Sequence, residues 1–413
     1  MSSTASFAEP ARADADAGPR NERGAAVAFL ADTHSDAALR DGLNDILSVP
    51  LELRRGGIRA AIAAQQKTPN PHVLVIDISG EDDPLRMLRS LSLVVEPDTC
   101  VLAIGESNDL TLYREITRGL GVAEYLAKPL TRDAVARFFG PLVRGQSTAG
   151  EQVFGGQFIA VTGARGGVGA SVIAANLAWH LANTARRHTV LLDGDLYRGT
   201  AALLLQAEPG EGLRKALESP ERIDVLLAER AAQPVSDRLH VLSSQDPFDY
   251  CVQYAAGAAE QMLAALRRRY NFVVADTPCQ PAPFCRELLA AADRRVLVLT
   301  PTLPALRDTL RLLALPGRGD TIVVLNRLGM PGGLKQQQVQ DALHRPPDVI
   351  IPDLPRQVSA AVTMGEPAAR HGGAFRAGIV AVLRQLDQLR EADAGIAANA
   401  GSRRRWRWLG LAR

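Results

Sequence analysis

Phe158–Ser171, FIAVTGARGGVGAS, is the stretch that decides how this chain is read. A short apolar run, Phe158–Val161, passes into a glycine-rich turn and then into Val172–Ala178, whose composition suits a helix. Such a turn aims successive backbone N–H groups at one point, and the helix start behind it adds the positive end of its dipole, which together make an anion cradle. Gly166, Gly167 and Gly169 let a ligand approach the main chain with no Cβ in the way. Against the general pattern G-x-x-x-x-G-K-[ST], Ala164 stands at the first glycine and Ala170 at the lysine. The cradle is kept, while the cation that reaches the β- and γ-phosphates is lost. The stretch predicts a nucleotide binder with weak or absent hydrolysis.

Around this segment, apolar runs alternate with helical patterns, the mark of parallel α/β sheets. Residues 1–24 hold almost no large apolar side chain and predict a disordered tail. In 25–144 the strand candidates are Val27–Ala31, His72–Ile78, Cys100–Gly105 and Ala123–Leu126, with helices around 36–47, 84–93, 110–118 and 131–143. Gly145–Gly156, GQSTAGEQVFGG, has the composition of a linker. A longer series follows in 157–392, with strands at 158–162, 189–193, 239–243, 271–276, 295–300, 321–326 and 348–351. The prediction is two doubly wound α/β domains in series, closed by a basic tail at 393–413.

Composition sets the frame. A chain of 413 residues with 46% hydrophobic and 22% charged residues is long enough for two ordinary globular domains. A formal net charge of +2 favours no class of partner. Cys100, Cys251, Cys279 and Cys285 show no C-x-x-C spacing, so reduced thiols are expected. With neither a signal-peptide pattern nor an 18-residue apolar run, a cytoplasmic protein is expected.

Within 157–392, further signals fall at strand ends, where open α/β sheets hold ligands. Ser171 is placed to offer its hydroxyl to Mg²⁺. Asp193-Gly-Asp195 follows Thr189–Leu192, and two acids there suit a metal-bound or attacking water. Asp276 ends the apolar run Phe272–Ala275 and suits a metal's outer shell. Asn326-Arg327 ends Ile322–Leu325, where an amide could read a purine edge. Singly, each strand-end acid is a common turn or cap residue. Their order and spacing in one domain make the combination informative.

These residues carry a resemblance. Residues 158–390 resemble the MinD/ParA group of deviant Walker-A ATPases: ARGGVGAS matches K-G-G-x-G-K-[ST], DGDLYRG matches D-x-D-x-x-x-G at 193–199, VVADTP matches the Walker-B strand and VLNR the adenine-contacting segment. Within the group the chain is similar to the CpaE/TadZ branch, which fuses a receiver-like domain to such an ATPase and serves Tad/Flp pilus assembly. The resemblance implies ATP or ADP with Mg²⁺ as cofactors, held by Arg165, Gly166, Gly167, Val168, Gly169, Ala170, Ser171, Asn326 and Arg327. The metal would sit by Ser171, Asp276 and Asp195, with Asp195 also the candidate catalytic residue. It also implies a nucleotide-sandwiched homodimer, in which Arg165 takes the place of the lysine that acts across the interface, with forked geometry. Alanine at 170 removes a source of transition-state charge stabilisation, leaving at most a slow ATPase.

In the front domain, Asp77 ends His72–Ile76 and Lys128-Pro129 follows the last strand, which resembles the receiver fold of response regulators. There the Asp accepts phosphate and the Lys senses it. The acidic pair expected after the first strand is reduced to Asp32, and Gly105 stands where a hydroxyl is expected. Two readings follow: a buried Asp77–Lys128 ion pair in a degenerate docking domain, or a working phospho-switch. At the other end, Trp406 and Trp408 lie among Arg403, Arg404, Arg405, Arg407 and Arg413, a composition that suits an anionic membrane surface, nucleic acid less well, or no partner.

Three functional expectations result. The first is a nucleotide-binding positioning factor for pilus or secretion machinery, at the inner membrane or cell pole, with ATP as dimer glue. The second is a partition or division-site ATPase that cycles. The third is a phosphorelay output protein acting through Asp77.

Overall fold

The computed structural model describes residues 26–43, 46, 51–96, 99–144, 156–223 and 230–386. The 1–24 tail, all but Gly156 of the 145–156 segment and the 393–413 tail lie outside the described residues.

The described chain forms two sheets in series. The first has five parallel strands, in the order β2-β1-β3-β4-β5. They are β1 (Ala26–Leu30), β2 (Glu52–Arg55), β3 (Val73–Asp77), β4 (Cys100–Gly105) and β5 (Glu124–Ala127). β1 and β3 are buried along their whole length, covered on both faces, which is why their sequences are continuous apolar runs. β2 is not among the strands expected from the sequence. It reads Glu-Leu-Arg-Arg, lies at the sheet edge and is partly exposed, so it carries no apolar signal.

The second sheet has eight strands, in the order β13-β12-β11-β6-β10-β7-β9-β8. They are β6 (Gln157–Gly163), β7 (Thr189–Asp193), β8 (Gln233–Ser236), β9 (Leu239–Leu242), β10 (Phe272–Asp276), β11 (Arg294–Leu299), β12 (Thr321–Leu328) and β13 (Val349–Pro352). All neighbours run parallel except β8, which lies antiparallel to β9 at one edge. β8, Gln-Pro-Val-Ser, escapes the sequence reading for the same reason as β2. After β10 the chain crosses to the far side of β6 to build β11, β12 and β13, so β6 stands at a topological switch point. Open sheets of this kind bind ligands at the carboxyl ends of the strands at that point.

Helix Ala170–Trp179 leaves the carboxyl end of β6 and is almost wholly sequestered, with Ile173, Ala174, Ala175, Leu177 and Ala178 buried. Being apolar all round, it suits a position between sheet and outer elements. Its one buried polar residue, Asn176, accepts from the Ala369 N–H at 2.8 Å and donates to the Val172 carbonyl at 2.8 Å, so no polar group is stranded. Each fully buried Ile or Leu here contributes about 1.5–3 kcal/mol.

The first sheet is tied at its carboxyl end by charge. Lys128 Nζ lies 2.6 Å from Asp32 Oδ2 and 2.6 Å from Asp77 Oδ2. Asp77 is 0% exposed and also accepts from the Ala31 and Ser79 N–H groups, each at 3.0 Å. Burial opposes both negative charges, but the hydrogen bonds from Lys128 and from nearby serines outweigh it. Asp32 is held at about 2 and Asp77 below the usual carboxylate range. Depressed carboxylates of this kind stabilise the fold above their unfolded pKa and lose that contribution as the pH falls toward the folded value. Lys128→Met should therefore destabilise the first unit by about 3 kcal/mol at neutral pH, because it strands a buried charge. The deficit should shrink on acidification through about pH 4, where carboxylates take up protons. Urea unfolding at both pH values checks this, and equal stability of the two proteins at neutral pH would rule it out.

Candidate functional site

The carboxyl ends of β6, β7 and β10 meet at one cleft. It has a volume of about 1200 Å³ and is lined by the 163–172 loop, Asp195, Asp276, the 307–311 turn of one helix and Arg327. The loop takes its shape from two glycines in the left-handed region, Gly167 at φ +80° and Gly169 at φ +95°. A Cβ on Gly169 would lie 2.6 Å from Asn326 Nδ2, which no other residue could tolerate there. A Cβ on Gly166 or Gly167 would meet nothing within 4 Å, so the loop's inner face opens on free space. Ala170 opens the helix that follows.

Register brings the acids together. Asp276 pairs with Asp193 across β10 and β7, and with Val161 across β10 and β6. Both carboxylates are buried, at 0% exposure for Asp193 and 7% for Asp276. Desolvation, reinforced by the charge of Asp195, pushes Asp193 up to about 6. Desolvation and the neighbouring charge of Asp193 push Asp276 up to about 7. The Ser171 hydroxyl bonds to Asp276 and partly offsets this. No lysine is present to do more, since Ala170 holds that position.

The two acids of DGD differ in use. Asp193 accepts from the Asp195 N–H at 3.1 Å and from the Ala201 N–H at 2.9 Å, so both of its oxygens organise the following loop. Gly199 is needed there, because a Cβ would fall 2.3 Å from Asp193 Oδ2. Asp195 accepts from the N–H groups of Tyr197 at 3.2 Å and Arg198 at 3.0 Å through Oδ1, and lines the cleft. The structure thus brings Arg165, Gly166, Gly167, Val168, Gly169, Ala170, Ser171, Asp195, Asp276 and Arg327 to one cavity. Asn326 is buried behind the loop, where its Nδ2 donates to the Val168 carbonyl at 2.9 Å. In this arrangement it braces the glycine-rich turn.

Sequence reasoning names Arg165 but misses Arg307 and Arg311, which complete an arginine rim with it. Arg165 Nη1 lies 2.9 Å from Asp308 Oδ2, and Asp308 is shared with Arg307 at 2.9 Å and Arg311 at 3.7 Å. The only trace in the sequence is Arg307-Asp308 and Arg311 on one helix face, which reads as an ordinary solvated surface. Among the described residues no group of three His, Cys, Asp or Glu side chains is arranged to hold a metal. The residues present nonetheless fit a nucleotide-bound Mg²⁺: an open backbone cradle, a serine hydroxyl on a carboxylate, and a buried carboxylate whose raised pKa a cation would lower. Phosphate oxygens and water would complete such a shell.

In the first unit, Asp77, Lys128 and Asp32 do converge, as described above. Gly105 has a physical reason. The Tyr125 ring lies inward against it, a Cβ there would come 2.7 Å from the Tyr125 hydroxyl, and that hydroxyl donates to the Ser107 carbonyl at 2.8 Å. The space beside Asp77 that a hydroxyl side chain would use is filled by a buried aromatic ring.

No protein-family model matches the chain. The septum site-determining protein MinD of Bacillus subtilis (strain 168) is 26% identical over 189 residues, which is 42% of this chain and 65% of that protein, so the match spans just under two thirds of that relative's length. Among solved structures, the cell division ATPase MinD of Pyrococcus furiosus is 22% identical, with a TM-score of 0.50 over 57% of this chain and 99% of that one. The pilus assembly protein CpaE of Caulobacter crescentus is 34% identical over 29% of this chain and 99% of that one, with a TM-score of 0.27. The eight-stranded unit of this chain has the MinD/ParA-type P-loop ATPase fold.

Proposed function

We propose that the chain is a nucleotide-binding positioning factor that acts on pilus or secretion machinery, with ATP serving as a dimerisation switch and hydrolysis slow or absent. One observation carries the nucleotide part of this reading. The glycine cradle opens beside Ser171 and Asp276, while the residue at the P-loop lysine position is Ala170. The cradle and the helix start behind it supply anion-binding groups that need no lysine. Bound Mg²⁺ would supply the charge that neutralises the phosphates. Ser171 and Asp276 would hold it, and Asp195 would orient water at the cleft wall. What the chain lacks is the ammonium that stabilises charge developing in phosphoryl transfer.

The pilus assignment rests on the pairing of a receiver-like unit with an ATPase fold of this type, a fold-level analogy. The division-site reading is favoured by the MinD relatives. Ala170 weighs against it, because a division-site ATPase that cycles on and off its target needs turnover, whereas ATP as dimer glue does not. The phosphorelay reading is weakened by Asp32 standing alone after the first strand and by Tyr125 packed over Gly105. The 393–413 tail is read as a peripheral contact with anionic lipid, each arginine near the surface adding about 1 kcal/mol. Among the described residues no helix is long and apolar enough to cross a membrane.

Titration calorimetry should show MgADP or MgATP binding, and a turnover assay a rate at least a hundredfold below that of lysine-bearing relatives, which is about 3 kcal/mol of barrier. Ala170→Lys should raise turnover. No binding at millimolar nucleotide would end the nucleotide reading, and turnover equal to those relatives would end the slow-hydrolysis part. Light scattering should give a larger mass with MgATP than without, and Arg165→Ala should weaken that dependence. A mass that ignores nucleotide would remove the switch. Ending the chain at Ala400 should abolish salt-sensitive co-sedimentation with anionic vesicles, and equal pelleting of both chains would exclude the tail as the anchor.

A further inference from the structure

At the opposite end of the second sheet from the cleft, the two units meet through a cluster of buried polar side chains. Asn70 is 0% exposed, Asn271 5%, Glu96 6%, Arg238 6% and His188 8%. Most of their polar atoms make hydrogen bonds, with Asn70 Oδ1 left without a partner. The cluster uses them on a specific target, the last carbonyls of two helices in the first unit.

Helix Pro84–Ser92 and helix Ile58–Gln65 both end at the seam. Terminal helix carbonyls have no partner within their own helix. The Asn271 Nδ2 group donates to the Ser92 carbonyl at 3.1 Å and to the Val95 carbonyl at 2.8 Å. Arg238 Nη2 donates to the Gln65 carbonyl at 3.1 Å and Arg186 Nε to the Gln66 carbonyl at 3.4 Å. A cationic side chain at a helix C-terminus also meets the negative end of the dipole. Arg269 Nη1 lies 2.6 Å from Glu96 Oε2. Side chains of the second unit thus cap two helices of the first.

The same amide faces inward as well. Asn271 Oδ1 accepts the His188 N–H at 3.1 Å, and His188 Nε2 lies 3.2 Å from Arg238 Nη1 and 3.4 Å from Asn70 Nδ2. Asn271 immediately precedes β10 and His188 immediately precedes β7. These neighbouring strands are five residues each, and they end at Asp276 and Asp193. Buried strands in a close-packed interior transmit a displacement along their length more readily than they absorb it.

We propose that Asn271, with Arg238 and His188, makes the seam a fixed joint between the two units, and that through β7 and β10 the state of this joint is coupled to ligand binding in the cleft. The first half stands on the seam alone, while the second rests on the nucleotide reading. Coupling of this kind is reciprocal: a ligand that binds more tightly to the docked form tightens docking by the same factor.

Asn271→Asp in the full chain separates the two faces of the amide. The carboxylate still accepts from His188, but places an oxygen against two carbonyl oxygens where an NH₂ donated. Hydrogen exchange at the Val94 and Val95 amides reads the joint, since both bond to the Leu91 carbonyl at the capped helix end. Exchange there should quicken about tenfold, and the affinity for MgADP should fall at least about fivefold. Glu96→Gln, which alters only the first unit, should move both readouts the same way and serves if the Asp variant does not fold. Unchanged exchange in a folded variant overturns the joint. Faster exchange with unchanged MgADP affinity overturns the coupling. Wild-type protein that binds no MgADP overturns the nucleotide reading and the coupling with it, and the exchange result still decides the joint.

Discussion

Two carboxylates on neighbouring buried strands cannot both stay charged without a counter-charge, and the cleft is arranged around that constraint. Asp193 and Asp276 are placed side by side by the in-register pairing of β7 with β10. Shifting either strand by one residue would turn its acid to the other face of the sheet. Asp193 is satisfied by main-chain donors of its own loop, so its role is met within the protein. Asp276 has the Ser171 hydroxyl and a raised pKa of about 7, so it is the group left in need of a cation. The guanidinium groups nearby stand at the rim of the cleft, with Arg165 engaged by Asp308. A ligand that carries its own divalent ion meets that need at the floor of the site, which is why the loss of lysine at 170 alters chemistry more than it alters binding.

The first unit meets a related constraint in the opposite way. Asp77 is as deeply buried as Asp193, yet its charge is kept because Lys128 reaches it and Asp32 together. One unit therefore carries its counter-ion covalently and the other lacks one. That contrast separates a closed polar cluster, which has a structural role, from an open one, which has room for a ligand.

Much of this arrangement is legible in the amino-acid sequence. The parallel strands buried on both faces announce themselves as unbroken apolar runs, and β4 and β7 fall at Cys100–Gly105 and 189–193, where those runs place them. The glycine spacing of the loop is legible because its backbone geometry excludes side chains at Gly169. The edge strands β2 and β8 are not legible, since a strand with a partner on one side only and solvent beside it needs no apolar alternation. Helix 58–65 lacks a distinct start signal, since it begins after a glycine with no side-chain cap. The hydrogen bond from Asn326 to the Val168 carbonyl is not legible either, because only the fold brings Val168 within reach of that carboxamide. Asn271 gives no signal at all. A lone Asn before a strand reads as a turn residue, and the two carbonyls it donates to lie more than 170 positions away in the chain.

The edges of the two sheets have a consequence for how copies of this protein can associate. β2 presents charged side chains, while β8 and β13 each carry a proline that removes a main-chain donor. Such edges are poor templates for adding a strand from a neighbouring molecule. At high local concentration, the route to open-ended, fibre-like growth through sheet extension is therefore obstructed at these three borders. Copies of the chain that associate are left with the β5 edge, loop ends and helix faces as contact surfaces.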